Sequence, residues 1–225
     1  MTHVGSAARA LSPAVAAQSP VASWLPVALG AAFAVEFVAL AWAPYDRGDW
    51  LLDNLISVPL AVGLLLARRR LPLTATGWVL VFLFLALHEV GSHYTYSLVP
   101  WMEWSRDVLG WAPGWERNHY DRILHFAFGL LLTRPLGDLI ARPLAASPTL
   151  LRVMPTCLVI SCSSVYELLE WAAARVVDPQ LGIAFVGAQG DIWDAQQDML
   201  LALGGSCLVA TAGWIYGLLT AGGRC

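Results

Sequence analysis

Charge is what this chain has least of. Only 13% of its 225 residues are charged, against about a quarter in a soluble domain. Lysine is absent, so all 13 basic residues are arginine. No basic cluster is long or dense enough for nucleic acid, which is excluded as a partner. Cysteine is scarce too. Cys157, Cys162, Cys207 and Cys225 contain no CxxC pair, which argues against a disulfide frame or a thiolate metal site and leaves them as small packing residues. What is plentiful is apolar surface: 58% of the residues are hydrophobic and the mean hydropathy is +0.62.

That surplus is arranged in runs, at 24–43, 50–67, 73–96, 119–140, 150–177 and 192–219. A bilayer core about 30 Å thick needs roughly 20 apolar residues per helix, and runs this long are not barrel strands. The expected fold class is all-α, a polytopic membrane helix bundle with six transmembrane helices. They form one domain, 23–220, behind a disordered Ala/Ser/Pro-rich tail at 1–22. With the N-terminus inside, inner segments hold Arg9, Arg68, Arg69, Arg70, Arg134, Arg142, Arg152 and Arg224. Outer segments hold Arg47, Arg106, Arg117, Arg122 and Arg175. The excess inside places both termini in the cytoplasm. The longest outer loop, between the third and fourth spans, carries Trp101, Trp104, Val108 and Trp111 at helical spacing. It predicts a short interfacial helix with tryptophans in the headgroup layer; packing of those rings on a neighbouring helix is the other reading.

Polar residues concentrate at one level. "HEVGSHYTY" (88–96) ends the third run, "NHYDRILHF" (118–126) opens the fourth, "YELLEW" (166–171) lies late in the fifth, and "GDIWDAQQDM" (190–199) opens the sixth. All four fall in the outer half of the membrane. Residues three or four apart share a helix face. Glu89 pairs with His93, Asp121 with His125 and Glu167 with Glu170, while Asp191, Asp194 and Asp198 share a stripe. Ionisable groups in a span face the bundle interior or a wet cavity. So many carboxylates together require protons, arginines or metal ions. A divalent ion is the economical answer. His93, His125, Glu167, Glu170, Asp191, Asp194 and Asp198 are the candidate ligands, as one ion or a dinuclear pair. The His-plus-carboxylate set suits Zn, Mn or Fe better than Mg or Ca. The pattern is analogous to carboxylate-bridged dinuclear bundles, without their Glu-x-x-His spacing. A purely structural or proton-relaying polar network is the competing reading.

"HEVGSH" is one residue too long for the HExxH zinc motif, so His88 and His93 cannot share an ion. Glu36 is isolated and reads as a buried protonated or paired group. In "PYDRGDWLLDN" (44–54), Asp49 is expected to cap the second helix, with Asp53 and Asn54 deeper and able to line the cavity. Glu89 and Asp121 are candidate general bases and, with Arg122, candidate catalytic residues. Arg117, with His88, Tyr94 and Asn118, would contact substrate, the arginines through an anionic head group.

Taken together, "PYDRGDWLLDN", "HEVGSHYTYSLVP", "RNHYDRILHFAFG", "YELLEW" and "GAQGDIWDAQQDM" resemble the YjdF-like family of bacterial inner-membrane proteins, over roughly 40–210. That resemblance implies a six-span, multi-pass protein of the bacterial inner (cytoplasmic) membrane and supplies no activity. The last motif is also faintly similar to VanZ-like proteins of the cell envelope. The sequence therefore favours a metal-dependent hydrolase acting on a lipid or lipid-linked substrate. A cation- or proton-coupled transporter and a non-enzymatic accessory subunit are the alternatives. Protein partners other than the bilayer are unknown.

Overall fold

The computed structural model describes residues 24–110, 117–141, 148–177 and 179–222. The tail at 1–22 and Trp111 lie outside them. Among the described residues there are eight helices: α1 (Trp24–Ala41), α2 (Arg47–Ala67), α3 (Ala75–His93), α4 (Trp101–Leu109), α5 (Tyr120–Ala141), α6 (Pro148–Val176), α7 (Pro179–Val186) and α8 (Asp194–Gly222). Six of them, α1, α2, α3, α5, α6 and α8, are long and apolar enough to cross a membrane, as the six runs predict. Their outer faces are bare hydrocarbon: Val35, Leu66, Leu168 and Leu200 are all strongly exposed. Lipid, not water, must cover such surfaces. A short helix, α4, stands between the third and fourth spans. The short α7, before the last span, has no counterpart in the apolar pattern, because eight residues starting at a proline are below the length of any span.

Local signals set the ends. Asp46, not Asp49, caps α2, its carboxylate accepting from the backbone N–H of Gly48 (2.7 Å) and Asp49 (3.0 Å). The helix therefore starts three residues earlier than the apolar run, and Asp49 is carried inside, 2% exposed. Thr74 caps α3 through Gly77 N–H. Thr74 also donates from its amide and hydroxyl to Asp138 of α5, at 3.0 and 2.6 Å, tying the far ends of the two helices.

The packing has two halves. Phe33, Ala61, Leu73, Trp78, Val81, Phe82 and Leu85 form an apolar core shared by α1, α2 and α3. The second half is a seam between α5 and α8, the most extensive helix pair. It is a ladder of four-residue steps, Asp121–His125–Gly129–Thr133 against Asp194–Asp198–Ala202–Ser206. At mid-seam the backbones touch: a side chain at Gly129 would run into the Ala202 carbonyl, and one at Gly205 into the Phe126 carbonyl. Small residues let membrane helices approach this closely. One turn beyond, Thr133 donates to Gly129 O, and Thr133, Ser206 and Thr156 join three helices by hydroxyl bonds of 2.7 and 2.9 Å. The floor below His125 and Asp198 is thus closed by packed backbone.

Candidate functional site

Helices α2, α5 and α8 begin, and α3 and α6 end, at the same end of the bundle, so their polar turns meet there. The centre is Asp121 and His125 of α5 with Asp198 of α8, which present one ligand atom each within 4.8 Å of one another. His125 Nε2 stands 3.6 Å from Asp121 Oδ1 and 3.4 Å from Glu167 Oε1 on α6. The Tyr166 ring lies edge-on to the imidazole, 6.2 Å between centroids. The group is walled from solvent: His125 is 9% and Asp198 2% exposed. Glu167 Oε1 and Asp198 Oδ1 have no hydrogen-bond partner. Buried carboxylate oxygens without donors are costly unless a proton or a cation neutralises them.

The other two aspartates of "GDIWDAQQDM" do something different. α8 starts at Asp194, so Asp191 is not on its stripe. Gly190, with φ +85°, turns the chain, and Asp191 Oδ1 accepts from Trp193 N–H (2.9 Å), a local Asx turn. Arg122 reaches Asp191 Oδ2 at 2.6 Å and Asp194 Oδ1 at 3.2 Å, and Arg117 reaches Asp194 Oδ1 at 2.5 Å. Gln197 also donates to Asp191 (2.8 Å). The Trp193 amide first, and then Arg122, hold the Asp191 carboxyl below the usual carboxylate range. Both arginines are thus engaged by acids, and Arg117 also donates to Ala188 O. Asn118 is a clasp. It donates to Val99 O, accepts from the Trp101 indole and the Tyr120 amide, and exchanges two hydrogen bonds with Gln189.

The residues of α3 divide. Glu89 is fully buried and accepts from Ser57 of α2 at 2.9 Å. His93 turns instead to the Leu40 carbonyl of α1 (2.7 Å) and stacks edge-on with Tyr94; Tyr94 in turn meets Trp104 of α4. So Glu89 and His93, one turn apart, face different neighbours. Asn54 links Ser92 and Ser57 across α2 and α3, and Ser92 hydrogen-bonds Asp53. Asp53, Asp49 and Glu89 each keep one carboxylate oxygen without a hydrogen-bond partner.

Tyr96 is the residue that sequence reasoning missed. Thr95 and Tyr96 both have φ +52°, a left-handed conformation uncommon outside glycine. The reversal folds the Tyr96 ring onto α3 at Gly91, where a Cβ would lie 2.6 Å from the ring. Only glycine admits it. The hydroxyl lands 2.5 Å from His88 Nδ1. Burial first, then Tyr166, Asp53, Asp121 and Glu170, push the phenol well above its ordinary value. Tyr96 therefore stays a donor, which makes His88 Nδ1 the acceptor and puts the imidazole proton on Nε2. The aromatic-rich "HYTY" is the one trace of this in the sequence.

A six-span bundle defines a polytopic membrane protein, here with a buried His–carboxylate cluster inside one end. The comparisons agree on the class and give it a family. Residues 25–218 match the family described as "Predicted membrane protein (DUF2238)", and the chain belongs to that family. It is 36% identical to the inner membrane protein YjdF of Escherichia coli (strain K12) over 164 residues, which are 72% of this chain and 76% of that one. No solved structure matches the chain.

Proposed function

We propose that the protein is a multi-pass inner-membrane protein, located as its relative's name describes, that holds a divalent cation between Asp121, His125, Glu167 and Asp198. The observation that carries this reading is the mismatch of charge. Arg117 and Arg122 are engaged by Asp191 and Asp194. Asp121, Glu167 and Asp198 face one another with His125 alone among them. One imidazole and three carboxyls suit Zn, Mn or Fe. A divalent ion there supplies Lewis acidity, and the reaction class we assign is hydrolysis of a lipid or lipid-linked molecule. Glu170, one turn along α6 from Glu167, serves as the general base. Arg117 and Arg122 fix Asp194 beside the centre and shape its rim. Transport is the weaker reading, because the Gly129–Ala202 contact closes the seam below the site.

Elemental analysis of chelator-free protein in mild detergent tests this. Wild type carries about one equivalent of transition metal, and Asp121→Ala and Asp198→Ala each carry none. Equal metal in all three, or none in wild type, contradicts the proposal.

A further inference from the structure

The geometry points to a binding groove for an anionic phospholipid between the end of α6, α7 and the strap Gly187–Gly190. The groove has a volume of about 760 Å³, and its walls include Arg175, Val177, Pro179, Ile183 and Val186, with Ser97 opposite. Among the described residues its walls are mostly apolar, with Arg175 as the cation. Two of them border the site already described: Ser97 follows Tyr96, and the strap carries the Ala188 carbonyl held by Arg117. The strap is pinned through Gln189 and turned by positive φ at Gly187, Gln189 and Gly190.

Depth and charge identify the occupant. α6 has 29 residues, about 44 Å at the helical rise, longer than a hydrocarbon core of about 30 Å. The surplus length lets its last turn, with Arg175, reach headgroup level. Trp171 and Trp193, 64% and 61% exposed, mark the same layer. The other arginines at this end are engaged: Arg47 with the Ala41 and Trp42 carbonyls, Arg106 with Asp107, Arg117 and Arg122 with the site's aspartates. Arg175 has no ion-pair partner among the described residues. A guanidinium at headgroup depth takes a phosphodiester in a forked hydrogen-bond pair, and Val177, Ile183 and Val186 beside it suit the start of an acyl chain. The lipid head then lies one strap away from Asp194. The groove stands on its own walls, so it holds whether or not the cation site does.

Native mass spectrometry of the full chain in detergent, titrated with phosphatidylglycerol or phosphatidylcholine of equal chain length, tests this. Wild type retains one phosphatidylglycerol, about tenfold tighter than phosphatidylcholine. Arg175→Ala and Ile183→Asp, both at exposed positions, each weaken it about tenfold and leave the metal content unchanged. Millimolar inorganic phosphate does not displace it. Wild-type affinity in both variants, equal binding of the two lipids, or displacement by phosphate overturns the assignment.

Discussion

Asp194→Ala destabilises the protein by about 3–5 kcal/mol, the cost of stripping a buried ion pair of one partner. Asp194 accepts from both guanidiniums, at 2.5 and 3.2 Å, and the three side chains are only 15% (Arg117), 7% (Asp194) and 16% (Arg122) exposed. Removing the carboxylate leaves two desolvated cations with one acid between them. Asp194→Asn does nearly the same, because an amide keeps the shape and loses the charge. Asp191→Ala is milder. Its side chain is 26% exposed, and Arg122 keeps Asp194. Chemical unfolding in detergent, followed by tryptophan fluorescence, ranks the three. Asp194→Ala at wild-type stability would show that the double ion pair contributes nothing.

Gly129→Leu breaks the α5–α8 seam. The new side chain meets the Ala202 backbone, not a flexible side chain, so the helices must separate. Overpacking a core costs about 1–3 kcal/mol where neighbours can yield; here they cannot, and the loss is at or above the top of that range. Separation also parts His125 from Asp198, so the proposed cation site is lost with the stability. Gly205→Leu behaves likewise against Phe126 O. At Gly204, its neighbour on α8, a side chain would enter open space, and Gly204→Leu keeps both the fold and the proposed cation site. Melting temperature and metal content of the three variants check this, and equal outcomes at 204 and 205 would contradict the seam.

The spans were legible because lipid leaves the sequence little choice: long apolar runs read as helices. Part of the site was legible for a related reason. Asp121 and His125 lie one turn apart on one face of α5, and α8 makes the most extensive contact of the three helices that α5 packs against, so pairing them with Asp198 needed only agreement in depth. Where spacing stopped helping, three-dimensional neighbours decided. Glu89 and His93 have the same four-residue spacing, yet Glu89 meets Ser57 and His93 meets Leu40 O, because α3 is flanked by different helices at successive turns. Asp191 sits at helical spacing from Asp194, yet the Gly190 turn keeps it off α8. The arginines carried no sign in the sequence of which acids they would meet. Tyr96 left only the trace of "HYTY", because its placement depends on two left-handed residues and on Gly91, features of backbone geometry and not of hydropathy.

The central claim is that His125 and its carboxylate neighbours form a cation site. Pulsed electron paramagnetic resonance of the purified protein loaded with Mn²⁺ tests it most directly. The account predicts modulation from one directly coordinated imidazole nitrogen, lost in His125→Ala and kept in His93→Ala. Mn²⁺ that stays free in solution, or a bound ion whose nitrogen signal survives His125→Ala, would contradict it.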